Sequence, residues 1–248
     1  WSLLKINNFK NRRLDSCYWA RKLYKDYPIY PPIAHWGLNW DRNLVDGKAL
    51  DCKDTLRDQQ RRIKRLQWMG ASDKAFAELK EFQKKESDGF IKDMTMAEYL
   101  VNEGMVKEAF NRLKPHYKDR KKRKDYDFIT LFAKAASRAG EYQTANGVYL
   151  QAVKDFPGGK GRTSLYRAAF MSYQNQDYDS ALRRFEEIAT KYKYTSLGKQ
   201  ANWYVPWIYY LRGNYQKAYD LMKVALKNKR RMLPYRMSTS KIKYWMAM

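Results

Sequence analysis

Leu165-Tyr166-Arg167-Ala168-Ala169-Phe170 begins an apolar helical stretch, Gln174-Asn175-Gln176-Asp177 interrupts it, and Tyr178, Ala181, Phe185 and Ile188 open a second one. The same order returns in Trp203-Tyr204-Val205-Pro206-Trp207, Arg212-Gly213-Asn214, and Tyr215, Ala218, Met222 and Ala225. In both copies a Tyr starts the second helix, an Ala stands three residues later, and a large apolar residue follows four beyond it. The Ala is what packing requires, because two antiparallel helices approach closely only where one side chain is small. Two consecutive helical hairpins of one design decide the fold class.

The register extends backwards. Ala75, Ala109, Ala145, Ala181 and Ala218 are spaced at 34, 36, 36 and 37 residues. Five positions before them stand Gly70, Gly104, Gly140, Gln176 and Gly213, where Gly ends a helix in the left-handed conformation without steric cost. Three before them stand Ser72, Val106, Tyr142, Tyr178 and Tyr215, and four after them Leu79, Leu113, Tyr149, Phe185 and Met222. This is the pattern of a tetratricopeptide-like repeat. It predicts an all-α superhelix, or solenoid, of helical hairpins over 70–226, with an irregular helical segment over 1–69. Residues 227–248 read as a C-terminal linker and helix.

The N-terminal segment predicts a helix over Arg13–Tyr24 that ends before Tyr27-Pro28-Ile29-Tyr30-Pro31-Pro32, whose prolines impose extended backbone. A short helical turn is expected over Leu38–Leu44. Asp51 is read as the cap of a basic helix over Asp54–Met69, and Ser72–Lys85 as the helix that brings the first repeat Ala.

Fifty Lys and Arg against 26 Asp and Glu give a formal charge of +24, a field that favours polyanions: nucleic acid, acidic lipid surfaces or an acidic cell-wall polymer. Two runs concentrate it. Lys118, Arg120, Lys121 and Lys122 lie between the helices read over Val106–Tyr117 and Asp127–Arg138. Lys227, Lys229, Arg230 and Arg231 follow the last repeat helix. Both are candidate polyanion or glycan contacts, although for the first a solvated inter-repeat loop is the favoured reading. Pro157-Gly158-Gly159-Lys160-Gly161-Arg162 reads as another inter-repeat loop. It lacks the GxxxxGK[ST] spacing and the preceding strand of a phosphate-binding loop.

Motifs for chemistry are scarce. His35 and His116 have no carboxylate or Cys spacing of a metal site around them, and no HExxH or CxxC occurs, so no metal and no cofactor is expected. His116 reads as a packed or half-exposed imidazole. Cys17 and Cys52 pair in an oxidising compartment, or stay small core residues in a reducing one. No run of 18 apolar residues is present to form a transmembrane helix. Most of the 21 Tyr and eight Trp fall at helical spacings that make them core, with a minority placed on the inner curve to stack on sugars or bases.

Three passages carry a resemblance to the α-superhelical domain of the soluble lytic transglycosylases, enzymes that cleave the glycan strands of peptidoglycan. Ala201-Asn202-Trp203-Tyr204-Val205-Pro206-Trp207-Ile208-Tyr209-Tyr210-Leu211-Arg212-Gly213-Asn214-Tyr215-Gln216-Lys217-Ala218 is similar to the family's Trp-rich helix and the Arg/Leu-x-Gly-x-Tyr-x-x-Ala that follows it. Lys241-Ile242-Lys243-Tyr244-Trp245-Met246-Ala247 resembles the family's Lys-x-x-Tyr-Trp helix, which leads towards a lysozyme-like catalytic domain. Asp26-Tyr27-Pro28-Ile29-Tyr30-Pro31 is similar to the family's Tyr-Pro-Leu segments.

The resemblance places the domain that carries the family's Glu-Ser, Gly-Leu-Met-Gln and Asn-Tyr motifs beyond Met248. Glu86-Ser87 repeats only the first of them, between two repeat helices. Without an apolar cleft Glu86 has no means to be raised into a general acid. No residue of this chain is therefore read as catalytic. The resemblance implies the superhelical scaffold of a periplasmic peptidoglycan lytic transglycosylase, holding glycan or a partner beside a catalytic domain. The alternative from the repeats alone is a protein-interaction solenoid of the tetratricopeptide type. Charge alone suggests a third reading, a nucleic-acid-binding array, which no base-reading pattern supports.

Overall fold

A computed structural model describes residues 13–26, 44–45, 48–49, 55–234 and 237–248. The expectations placed on Asp51, Cys52, His35, the proline-rich stretch 27–32 and the turn over 38–43 lie outside the described residues. The helices are α1 (Arg13–Asp26), α2 (Leu56–Trp68), α3 (Ser72–Lys85), α4 (Gly89–Asn102), α5 (Val106–Tyr117), α6 (Tyr126–Arg138) and α7 (Tyr142–Asp155). They continue as α8 (Gly159–Gln174), α9 (Tyr178–Lys191), α10 (Ser196–Leu211), α11 (Tyr215–Lys227), α12 (Lys229–Met232) and α13 (Thr239–Ala247). Among the described residues the extended structure is one antiparallel ladder, β1 (Leu44–Val45) against β2 (Lys48–Ala49). The chain forms two compact units, residues 1–105 and 106–248.

The repeat turns share one backbone solution. Gly70, Gly104, Gly140, Gln176 and Gly213 all have φ between +59° and +88°. The N–H of the residue after each bonds back to the carbonyl five residues earlier. These bonds are Ala71 to Leu66 (2.9 Å), Met105 to Leu100 (2.9 Å), Glu141 to Ala136 (2.9 Å), Asp177 to Ser172 (2.9 Å) and Asn214 to Tyr209 (3.0 Å). This is a Schellman closure, which satisfies helix-end carbonyls and reverses the chain within two residues. The next helix then begins at Ser72, Val106, Tyr142, Tyr178 and Tyr215, the residues that the sequence register assigns to that place. Ala75, Ala109, Ala145, Ala181 and Ala218 are all buried, as are Leu79, Leu113, Tyr149, Phe185 and Met222.

In the first unit α2 packs on α3, and both touch α4. The α2 helix starts at Leu56, two residues later than read. Thr55 caps it: its hydroxyl accepts from the Asp58 N–H at 3.1 Å, and the Asp58 carboxylate accepts from Thr55 in return. Such a box satisfies helix-start donors that Asp54 would otherwise have had to reach. Asp58 is buried and also takes the Arg21 Nε–H at 3.1 Å, tying α1 to α2. Arg62 and Glu78 pair at 3.1 Å across α2 and α3, and Gln60 donates to Thr95 at 2.8 Å across α2 and α4. Ile63, Leu66, Leu79, Phe82, Leu100 and Val101 fill the space between.

In the second unit each helix from α5 to α11 packs on the next, the stacking expected of a solenoid. Leu165, Ala181, Phe185, Ile188, Ala201 and Ile208 form one core across α8, α9 and α10. Trp203, Met222, Ala225, Leu233 and Ile242 form the next, so α13 closes on α10 and α11. The glycine stretch 158–161 is not a loop throughout, because α8 begins at Gly159. Gly161 is buried where a Cβ would stand 2.6 Å from the Phe156 carbonyl oxygen. Gly198, 37 residues on, repeats this at the start of α10, where a Cβ would stand 2.1 Å from the Tyr192 oxygen. Close helix-to-turn packing explains both glycines, and no phosphate need be invoked.

A candidate binding face in the second unit

The first helices of the last two hairpins, α8 and α10, carry large aromatic residues at matching places. Tyr166, Phe170 and Tyr173 sit at i, i+4 and i+7 on α8, and Trp203, Trp207 and Tyr210 repeat that spacing on α10. Helical periodicity puts each trio on one face. Hydrogen bonds between residues 34 apart hold neighbouring faces in register. The Tyr166 hydroxyl donates to Gln200 Oε1 at 2.9 Å, and Trp207 Nε1–H donates to the Tyr173 hydroxyl at 2.9 Å. One hairpin earlier, the Tyr126 hydroxyl donates to the Lys160 carbonyl at 3.1 Å.

The rings form two groups, joined by the hydrogen bond of Trp207 to Tyr173. Tyr204 stacks on Phe185 with centroids 4.8 Å apart and meets Phe170 and Tyr173 edge-on at 5.7 and 5.6 Å. Trp207 stacks on Tyr210 at 5.5 Å, and Trp245 of α13 meets both edge-on, at 4.7 and 5.5 Å. Offset and edge contacts of this kind add to the burial that fixes the rings in place. Tyr166, Phe170, Tyr173, Tyr204, Trp207, Tyr210 and Trp245 are all half-buried, so the array is both core and surface. Burial, and then the neighbouring Tyr204, pushes the Tyr166 hydroxyl above the ordinary phenol range; burial, and then Tyr173, raises Tyr204. These two hydroxyls therefore stay protonated under physiological conditions.

Its surroundings are cationic. From Lys191 to Met248 the chain carries thirteen Lys or Arg and one acid, Asp220. Lys191 and Arg212 pair with Glu187 and Asp179. Lys217, Lys223, Lys227, Lys241 and Lys243 make no ion pair among the described residues. Several lie over rings instead: Lys217 over Tyr209 at 4.2 Å, Lys241 over Trp203 at 5.4 Å, Lys223 over Tyr219 at 5.9 Å.

The two basic runs lie at different places in the unit. Lys118, Arg120 and Lys121 are exposed in the connection between α5 and α6, with Lys122 half-buried in a single 3-10 turn. Lys227, Arg230 and Arg231 are exposed at the end of α11 and on α12. Lys229 is half-buried and donates to Thr239 Oγ1 at 2.9 Å, and the Arg230 carbonyl accepts from Lys199 Nζ at 3.0 Å. The second run thus sits where α10, α11 and α13 converge. His116 is half-buried on α5. Glu86 ends α3 in the first unit and accepts the Asp88 N–H at 3.0 Å, while Asp88 caps α4. Among the described residues no group of His, Cys, Asp and Glu is placed to hold a metal ion. No described helix is long and apolar enough to cross a membrane.

No protein-family model matches this chain, and no curated protein does. Solved structures do. BtubC from P. vanneervenii superposes with a TM-score of 0.59 at 15% identity, over 92% of this chain and 94% of that one. A protein of nearly identical TPR-like repeats from Podosopora anserina gives 0.57 at 18% identity, over 71% and 96%. A tetratricopeptide repeat protein from Parabacteroides merdae gives 0.57 at 15%, over 77% and 71%. The narrower likeness of Ala201–Ala218 and Lys241–Ala247 to lytic transglycosylases finds no counterpart among these three. At such identities the shared property is the fold: the chain is an all-α protein of tetratricopeptide-like helical hairpins.

Proposed function

We propose that the chain is a protein-interaction scaffold whose binding surface is the aromatic face of α8, α10 and α13. The observation that supports it is the half-buried ring array, held in register by the bonds of Tyr166 and Trp207 and edged by lysines without acidic partners. Large, rigid rings lose little freedom on binding, and clusters of this composition supply most of the energy of protein interfaces. A photo-crosslinking residue placed at Phe170 or Tyr210 tests this in extract of the source cells, with exposed Gln143 on α7 as the control. Discrete protein adducts at the first two positions and none at the control are expected. Adducts of equal yield at all three positions would refute the reading.

A second reading keeps the resemblance: a superhelical scaffold of a lytic-transglycosylase-like protein acting on peptidoglycan in the periplasm. Two observations favour it. Two of the three passages that carry the resemblance meet in space, through Trp207 and Trp245 at 4.7 Å, and flat rings among cations suit sugars bearing carboxylates. Cys17 is buried and disulfide-bonded, as in an oxidising compartment. Pull-down on purified sacculi tests it. Neutralising Lys227, Lys229, Arg230 and Arg231 is expected to weaken that binding more than neutralising Lys118, Arg120, Lys121 and Lys122. Release of anhydro-muropeptides that disappears in Glu86→Gln would overturn the absence of catalysis in this chain.

A further inference from the structure

Between α11 and α13 lies an open cleft of about 290 Å³ that the ring array does not fill. Tyr210, Tyr215, Tyr219 and Met222 form one side of it, Trp245 and Met246 the other. Tyr215 and Tyr219 are exposed by 62% and 39%, while Met222 at the floor is 1% exposed. The floor is thus apolar, while the accessible walls are more polar than apolar, with the tyrosine hydroxyls and Gln216, whose amide already donates to Asp220 at 3.1 Å, among the polar groups. Cations continue the helix faces that line it. On α11, Lys223 follows Tyr219 by one turn and Lys227 follows Lys223 by another; on α13, Lys243 precedes Met246 and Ala247 by one turn. All three are exposed and make no ion pair among the described residues.

We infer that this cleft receives an acidic peptide segment, with one large apolar side chain inserted among the tyrosines and methionines and carboxylates flanking it towards Lys223, Lys227 and Lys243. The inference rests on the protein-interaction reading and deepens it by naming the site and the partner's chemistry. Three features select a peptide. The volume suits one or two large side chains. Thioethers adapt to irregular aliphatic or aromatic shapes. The lining pairs ring faces and methionines with tyrosine hydroxyls and Gln216, which suits an apolar side chain together with the peptide backbone that carries it. Charge complementarity decides the sign, because thirteen cations and one acid in this segment repel a basic partner and attract an acidic one at long range.

The test is selection of short random-sequence displayed peptides on the full chain, followed by fluorescence anisotropy with the winners. Enriched sequences are expected to join Asp or Glu to a single Phe, Trp, Leu or Met. Tyr215→Ala with Tyr219→Ala removes exposed side chains and leaves the core intact. It should weaken binding about tenfold or more. Neutralising Lys223, Lys227 and Lys243 to Gln should cost about tenfold, from three exposed pairs. Raising salt from about 0.1 M to about 1 M should weaken the parent and leave the neutralised variant almost unchanged.

Enriched peptides without acids, or acidic peptides indifferent to both variants, would sink this site while leaving the scaffold reading standing. No enriched peptide at all would remove both. Displacement of the bound peptide by oligouridine or soluble glycan fragments that themselves bind more tightly, and that lose affinity in the same variants, would transfer the cleft to those ligands and overturn the inference.

Discussion

Gln176 occupies a position that glycine holds in the four other repeat turns, and this irregularity gives a sharp test of the repeat geometry. Its φ of +59° places a residue with a Cβ in the left-handed region, as Gly140 at +88° and Gly213 at +76° are without one. A Cβ at Gly140 or Gly213 would meet no atom within 4 Å, so substitution there changes backbone energy and nothing else. The left-handed conformation costs an L-residue about 1–2 kcal/mol. Removing a glycine recovers about 0.4–1 kcal/mol of unfolded-state freedom. Gly213→Ala should therefore destabilise by roughly 0.5–1 kcal/mol, and Gln176→Gly should stabilise by a similar amount. With about 2–4 °C per kcal/mol for a chain of this size, midpoints should move by a few degrees in opposite directions. Differential scanning calorimetry reads the shift. Hydrogen exchange across α8 and α9 localises it, which matters because repeat arrays need not unfold in one step. Gln176→Asn should fall between, since Asn tolerates the left-handed region better than Gln. The reasoning fails if Gln176→Gly lowers stability, or if Gly140→Ala and Gly213→Ala both leave it unchanged.

Other outcomes follow from packing and titration. Ala181→Leu and Ala218→Leu should each cost about 1–3 kcal/mol, because both sites are closed against neighbouring helices; two variants that melt with the parent would show the close-contact register to be wrong. Gly198→Ala should destabilise more than Gly213→Ala, since its Cβ would meet the Tyr192 backbone oxygen at 2.1 Å, and chemical denaturation of the pair gives the order. Tyr166 is an acid raised above its unfolded value. Its contribution is present below the unfolded pKa and lost as pH rises past it, so stability should fall above about pH 10. Tyr166→Phe should flatten that fall, and an unchanged alkaline limb in urea titrations would contradict the burial of this hydroxyl.

The repeat register was legible because it is written in backbone constraints. A left-handed turn favours glycine, a close helix contact favours alanine, and both recur at fixed offsets that local physics alone explains. Even the exception, Gln176, was identifiable by position, and it makes the same Asp177-to-Ser172 closure as the glycine turns. Helix starts were less legible where two capping residues compete. Asp51 and Asp54 offered a start for α2, but Thr55 with Asp58 closes a reciprocal box that a lone Asp cannot match. Gly161 and Gly198 were opaque for another reason: their role is a contact with a preceding turn, and no local rule flags it.

The aromatic face was half-visible. The spacing of Tyr166, Phe170 and Tyr173 and its return in Trp203, Trp207 and Tyr210 is plain in the sequence, but periodicity gives a direction and not a depth. A residue pointing between two helices and one pointing across the face of both share the same phase. Whether a ring is core or surface is settled by what the next hairpin brings. Here the next hairpin brings another row of rings, 37 residues on, tied to the first by the bonds of Trp207 to Tyr173 and of Tyr166 to Gln200. That leaves each ring half covered by its neighbour and half open. A charge count faces the same limit. The runs at Lys118–Lys122 and Lys227–Arg231 stand out because their cations are consecutive. Lys223 and Lys243 do not, although α13 packs against α11 and each stands one turn from a residue that lines the cleft. Function in such an array depends on which side chains from different hairpins become neighbours, and the hairpin rule that makes the fold legible is silent about that choice.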